Sequence, residues 1–301
     1  MRNILGTYIN GNYTVSIYND GTKIRENDLD SLTPAFAENC DVCITKCCNG
    51  NCKWCYEGCT REGKHANLMS YKTLIDSLHP YTELALNGND MSHPQLVPFL
   101  KLLKEKKVIP NITVNQKHFI EYYSYLKALI DFKLIYGIGI SLTDSNNDGL
   151  YERLKVFPNA VIHTIAGITT MEDYERLAEH NCKILILGYK KKGRGNKYYD
   201  EHVAEINDRI NSLKANLPKY LDRANLISFD NLAIEQLDIR NILNMSDEDW
   251  SKFYMGDDGR YTFYMDLVNG TFAKNSISTE TYPIKPDMTI DDMFNFIRSK
   301  G

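Results

Sequence analysis

No stretch of the chain approaches the roughly 18 uninterrupted apolar residues that a membrane-crossing helix needs, so no membrane span is expected. An excess of one charge is missing too. Lys+Arg number 35 against 39 Asp+Glu, a formal net charge of -4, which offers no general attraction to nucleic acid or to an anionic membrane. Internal repeats and low-complexity tracts are absent, and 43% hydrophobic with 25% charged residues excludes disordered and collagen-like chains. The start, Met1-Arg2-Asn3-Ile4-Leu5-Gly6-Thr7, has no long apolar stretch and no small-residue cleavage site. A secretory leader is therefore not expected, and the expected location is the cytoplasm. At roughly 150 residues per domain the length predicts two domains, or one α/β barrel-type domain with appendages.

What is present is a dense group of thiols. Of the 8 cysteines, all but Cys182 fall between Cys40 and Cys59, at Cys40, Cys43, Cys47, Cys48, Cys52, Cys55 and Cys59. In a cytosolic chain such a run points to metal binding or catalysis rather than to a disulfide framework. Zinc fingers and ribbons need a second ligand pair a dozen or more residues away, and none exists here. A ferredoxin needs further cysteines and a nearby proline. One spacing remains, Cys48-x3-Cys52-x2-Cys55 followed by the aromatic Tyr56, and no other cysteine in the chain starts the same order. Three thiolates on a short loop can hold three irons of a four-iron cluster and leave the fourth open to a small molecule.

Around this loop the pattern is α/β. A small N-terminal β-meander is predicted from Gly6–Ile9, Asn12–Tyr18 and Thr22–Arg25, joined by Asn10-Gly11 and Asp20-Gly21. Six short strands follow, Asp41–Thr45, Glu83–Leu86, Asn111–Val114, Gly137–Leu142, Ala160–Ile165 and Lys183–Leu187, with amphipathic stretches between them. They predict a parallel sheet curved into an open barrel, two units short of eight. A long helix over Tyr199–Leu217, a strand at Leu226–Asp230, a hairpin turned by Asn269-Gly270 and a closing helix after Thr289 complete the chain. The expected segments are 1–38 for the meander, 39–223 for the barrel and 224–301 for a C-terminal α+β extension.

The cysteine triad, its place directly after a first strand, and polar residues at successive strand ends resemble the radical S-adenosylmethionine (radical SAM) superfamily. The resemblance spans about Asp41 to Gly195. Tyr56–His65, Asn115-Gln116, Gly188-Tyr189-Lys190 and Phe229–Gln236 are similar to a compact group of these proteins met in phage-type genomes. It implies a partial (β/α)6 barrel in which Cys48, Cys52 and Cys55 hold a [4Fe-4S] cluster. S-adenosylmethionine on the open iron is then cleaved reductively to a 5′-deoxyadenosyl radical, which takes hydrogen from a substrate, a small molecule or a peptide. An electron donor such as flavodoxin or ferredoxin is implied as a partner.

The resemblance also assigns contacts to the cofactor. Tyr56 stacks on adenine, or packs the loop; Asn87, Gly88, Asn89 and Asp90, in place of a Gly-Gly-Glu-Pro-like motif, receive the methionine ammonium, or Asn89 and Asp90 are ordinary turn formers; Asn115 and Ser141 reach its carboxylate and ribose, or Ser141 is a plain strand-end hydroxyl. An acid is usual at the position of Asn89, so Asn89→Asp is expected to maintain binding while Asp90 compensates in the natural chain.

Each of these readings has a plainer alternative. Cys40, Cys43, Cys47 and Cys59 are an auxiliary cluster or inert thiols, and Cys182 is a small core residue. Glu57, Lys64 and His65 bind substrate or form a solvated loop; His163 is catalytic or a satisfied barrel histidine. Lys190, Lys191, Lys192 and Arg194 receive an anion or form a solvated charge run. The alternative to an enzyme is an iron–sulfur or zinc-binding redox adaptor, which would not need polar residues at successive strand tips.

Overall fold

The computed structural model describes residues 2–29, 31–221 and 223–300. Met1 and Gly301, which end the first and last expected segments, lie outside them. Strands β1 (Ile4–Asn10), β2 (Tyr13–Tyr18) and β3 (Lys23–Glu26) form the expected antiparallel meander as a sheet of their own. The six expected parallel strands are all present, as β4 (Asn39–Cys43), β5 (Glu83–Asn89), β6 (Ile109–Asn115), β7 (Gly137–Ser141), β8 (Ala160–Ile165) and β9 (Lys183–Leu187). They lie side by side in chain order.

The count of six is too low. Strand β10 (Leu226–Phe229) adds parallel to β9 at one edge, and β11 (Thr262–Asp266) adds parallel to β4 at the other. With β12 (Thr271–Ala273) and β13 (Tyr282–Pro283) the sheet holds 10 strands, eight of them parallel. The sequence shows β11 and β12 as a local hairpin, and nothing local reveals that β11 pairs with β4.

Side chains alternate along these strands as the two-residue period requires. Leu84, Leu86, Ile112, Val114, Ile184 and Ile186 are buried in one core with helix residues such as Phe99, Leu103, Phe119 and Leu217. The intervening positions are only half-buried and form the opposite face. Hydrogen bonds bring the two ends of the sheet together: Asn231, just after β10, donates to Asp258 Oδ1 (2.7 Å), just before β11. Lys190, just after β9, donates to Ser276 Oγ (3.0 Å), just after β12.

The expected long helix runs from Arg194 to Leu221 and is kinked at His202, whose φ is -132°. His202 Nδ1 donates to Tyr198 O (2.9 Å), so a side chain takes an acceptor that the helical ladder uses. Among the described residues no helix is long and apolar enough to cross a membrane.

The meander is fastened to the N-terminal end of the parallel strands through one buried carboxylate. Glu38, 1% exposed and directly before β4, accepts from Tyr13 Oη (2.7 Å), Arg25 Nε (2.8 Å) and Arg25 Nη2 (2.6 Å). Lys23 bridges Glu38 (3.7 Å) and Glu83 at the start of β5. Burial alone would raise the Glu38 carboxyl, but Arg25, Lys23 and Tyr13 outweigh it and hold it below the usual carboxylate range.

A lowered folded value stabilises the protein above the ordinary range near about 4.3, and that contribution is lost as pH falls through the folded value. Glu38→Ala strands Arg25 in a buried site and is expected to cost about 3–5 kcal/mol. Urea denaturation at pH 7 measures this, and the gap between the two proteins should shrink in acid.

Candidate functional site

Ligands of parallel α/β sheets gather at the C-terminal strand ends. The cysteine loop leaves β4 at that end, two residues earlier than the expected strand end at Thr45. The cause is a side chain. Asn87 Oδ1 accepts from Ile44 N (2.7 Å) and Thr45 N (3.3 Å), and its Nδ2 donates to Thr45 O (2.8 Å), replacing the sheet partners those groups would otherwise use. Beyond Ile44 the loop folds on itself: Cys48 N donates to Thr60 O (2.8 Å), Lys46 N to Lys64 O (2.8 Å), and Ala66 N to Ile44 O (2.9 Å). Thr45 Oγ1 is hydrogen-bonded to His65 Nδ1 (2.8 Å), and the His65 ring packs edge-on against His93 at 4.9 Å. Burial, helped by the neighbouring His65, pushes His93 down to about 4.

Cys48, Cys52 and Cys55 are all half-buried on the same loop. A Cβ added to Gly50 would stand 3.3 Å from Cys48 Sγ and 3.9 Å from both Cys52 Sγ and Asn115 Nδ2. Gly50 thus leaves open the space between two of the thiols, and its N–H points at Cys48 Sγ (3.3 Å). Asn115 Nδ2 approaches Cys52 Sγ (3.7 Å). Two thiols flanking a side-chain-free hollow, each with an N–H donor aimed at it, and a third three residues on at Cys55, suit a thiolate-ligated cluster.

The remaining cysteines do not share one place. Cys40 and Cys182 belong to the helix-facing core. Cys43, 1% exposed, approaches Glu57, and Cys47 Sγ lies between Arg61 O (3.3 Å) and Ser92 Oγ (3.7 Å). Cys59 donates towards Cys55, and this hydrogen bond is the main reason the Cys55 thiol falls to about 6.

Asn87, Asn89 and Asp90, expected at the cofactor ammonium, brace the loop. Asn89 Nδ2 donates to Thr45 O (3.0 Å) and Cys47 O (3.4 Å) and lies 3.4 Å from Cys59 Sγ. The structure therefore reverses the expectation for Asn89→Asp, because a carboxylate there would face two carbonyls with no donor. Asp90 Oδ2 accepts from Asn49 N (3.1 Å), and its Oδ1 from Ser92 N (3.2 Å) and Ser92 Oγ (2.5 Å). Asn49, next to Cys48, is also held by the fully buried His118, whose Nε2 donates to Asn49 Oδ1 (2.6 Å). His118 and Asn49 escape sequence reasoning because nothing local links positions on different loops.

Asn115, Ser141 and His163 lie side by side across β6, β7 and β8. Burial, with a contribution from Lys190, pushes His163 down to about 4, so it is neutral at pH 7. Gln116, beside Asn115, accepts from Thr143 N (2.8 Å) and Asp144 N (2.9 Å) and so shapes the loop after β7. Glu57 accepts from Tyr264 Oη (2.9 Å) and pairs with Lys46 (3.2 Å), which also pairs with Asp266 (2.9 Å). Cys43, Glu57 and Asp266 form a compact group of metal-type donors, whose two carboxylates are already bridged by the Lys46 ammonium.

The basic run divides: Lys191 and Lys192 are exposed, while Lys190 and Arg194 are half-buried. Lys190 Nζ stands 4.3 Å from the Tyr56 ring centre, Lys191 Nζ 3.4 Å from that of Tyr199, and Lys192 Nζ donates to Ser276 O (2.5 Å). Arg194 donates to carbonyls of the cysteine loop. Trp54, between Cys52 and Cys55, packs edge-on against Tyr198 at 5.7 Å.

No protein-family model and no curated protein matches the chain. Among solved structures, it is similar to SuiB of Streptococcus suis bound to S-adenosylmethionine, with 14% identity over 89% of this chain and 69% of that one, at a TM-score of 0.55. A second SuiB structure aligns with 98% of this chain and 89% of its own, at 13% identity and a TM-score of 0.53. A structure of anSMEcpe with bound AdoMet aligns with 86% of this chain and 83% of its own, at 14% identity and a TM-score of 0.50. At these identities the likeness shows a shared fold.

Proposed function

We propose that this protein is a radical S-adenosylmethionine enzyme built on a partial barrel. The observation that carries the reading is the placing of Cys48 and Cys52 on either side of Gly50, with Cys55 on the same half-buried loop after β4, in a fold shared with structures that hold S-adenosylmethionine. These three thiolates would hold a [4Fe-4S] cluster, which with S-adenosylmethionine would supply one-electron cleavage of the sulfonium bond and radical hydrogen abstraction.

The chain's own residues bind and orient. Asn49, clamped between Asp90 and His118, fixes the backbone beside Cys48. Asn89 holds the loop through Nδ2 and keeps Oδ1 as the acceptor for the methionine ammonium, with the Asp90 charge close by. Asn115 and Ser141, adjacent at the tips of β6 and β7, serve the carboxylate and ribose, and Tyr56 the adenine. The substrate is a small molecule or a peptide, and the electron donor is of the flavodoxin or ferredoxin class.

Anaerobic reconstitution with iron and sulfide is expected to load about four irons per wild-type chain. The loaded protein should release 5′-deoxyadenosine and methionine from S-adenosylmethionine under a strong reductant. Cys48→Ser, Cys52→Ser and Cys55→Ser should each lose both properties, whereas Cys182→Ser should keep both. Gly50→Ala should lower iron loading without unfolding the protein. Loading that tolerates any single substitution in the triad would defeat the reading, and loading without a spectral response to S-adenosylmethionine would favour a redox adaptor.

Asp90→Ala and Asn89→Asp test the second-strand residues. Both are expected to weaken S-adenosylmethionine binding by about tenfold, roughly 1.4 kcal/mol, and to speed iron loss to a chelator. Anaerobic titration calorimetry and a chelator time course separate the two effects.

A further inference from the structure

Arg194 makes three hydrogen bonds to the cysteine loop, each to the carbonyl of a different cysteine. Its Nε donates to Cys52 O (3.0 Å), its Nη1 to Cys59 O (2.8 Å), and its backbone N to Cys55 O (3.0 Å). The flanking glycines allow this close approach. Gly193 has φ +55°, and a Cβ there would overlap Tyr56 O and stand 2.9 Å from Cys55 O. A Cβ on Gly195 would stand 3.2 Å from Trp54 O. Among the described residues Arg194 has no carboxylate partner, unlike Arg25, Arg209, Arg223 and Arg240. Its charge thus stands beside the gathered thiols with no ion-pair partner among the described residues.

We propose that Arg194 is the positioning and charge-balancing residue of the cluster loop, and that its guanidinium raises the reduction potential of the bound cluster. The inference rests on the reading of Cys48, Cys52 and Cys55 as cluster ligands. A four-iron cluster on three thiolates is an anion and gains a further negative charge on reduction. A fixed cation beside it favours the reduced state, since potentials of such clusters follow net charge and nearby hydrogen bonds. The fork of donors on Arg194 holds Cys52 and Cys59 at a set separation, which a lysine cannot copy.

The test compares wild type, Arg194→Lys and Arg194→Gln after anaerobic reconstitution, by iron content, spectroelectrochemical midpoint potential and iron release to a chelator. Arg194→Gln should shift the reduction equilibrium at least tenfold towards the oxidised state, about 59 mV for one electron. Arg194→Lys should keep a potential near wild type but release iron several-fold faster. If Arg194→Gln cannot be loaded while Arg194→Lys can, the charge is needed for assembly itself, and the proposal stands. Equal potentials in all three proteins, or equal loss of loading in both variants beside a loaded wild type, would overturn it. Failure of the wild type to load is a different result and would count against the cluster reading.

Discussion

The structure around the site depends on what happens to backbone groups where the chain leaves a parallel sheet. At Ile44 the N–H loses its neighbour in the ladder, and an unpaired buried amide costs about as much as a lost hydrogen bond. The Asn87 side chain supplies the missing acceptor and donor, acting as one more peptide unit in the sheet. Because Asn87 sits on the rigid β5, the start of the cysteine loop is fixed by a strand rather than by the loop. Asn89, Asp90 and His118 repeat the device farther along, each from a different point on neighbouring elements. A loop with little regular structure thereby acquires a defined shape, as a site that must hold several thiols in register requires.

The charges follow the same economy. The run of three lysines and an arginine after β9 is only partly solvated surface: Lys191 and Lys192 are exposed, while the half-buried Lys190 stands over the Tyr56 ring and Arg194 donates to the cysteine loop. Lys46 likewise neutralises Glu57 and Asp266 and ties the loop to β11. These contacts surround the cysteine loop with cations and amide donors, an environment suited to an anionic centre.

Much of this was legible in the residues. Alternating apolar positions mark β4 to β9, and the amphipathic stretch after β8 is a helix, Met171–Glu179, capped by Thr170 with Asp173. The unique x3, x2 spacing singled out Cys48, Cys52 and Cys55. What stayed hidden depends on contacts between distant positions. β11 carries the same kind of pattern whether it ends a local hairpin or pairs with β4, so the count of parallel strands came out too low. Asn87, Asn89 and Asp90 were polar tip residues facing a ligand or facing the chain, and sequence has no direction to offer. The expected first strand, Asp41–Thr45, is displaced by two residues from Asn39–Cys43, because Ile44 and Thr45 suit a strand in every local respect.

The pairing of β11 with β4 also has a temporal side. Tyr264 and Glu57, which it brings together, are 207 residues apart in the chain. During synthesis, domains form as the chain emerges, and contacts across such separations come last. The cysteine loop is therefore made early but stays without its Tyr264 and Asp266 wall until the C-terminal strands arrive. For that interval Cys43, Glu57 and Lys46 lack the side chains that later cover and pair them, so the final shape of this part of the loop should depend on how quickly the end of the chain follows the beginning.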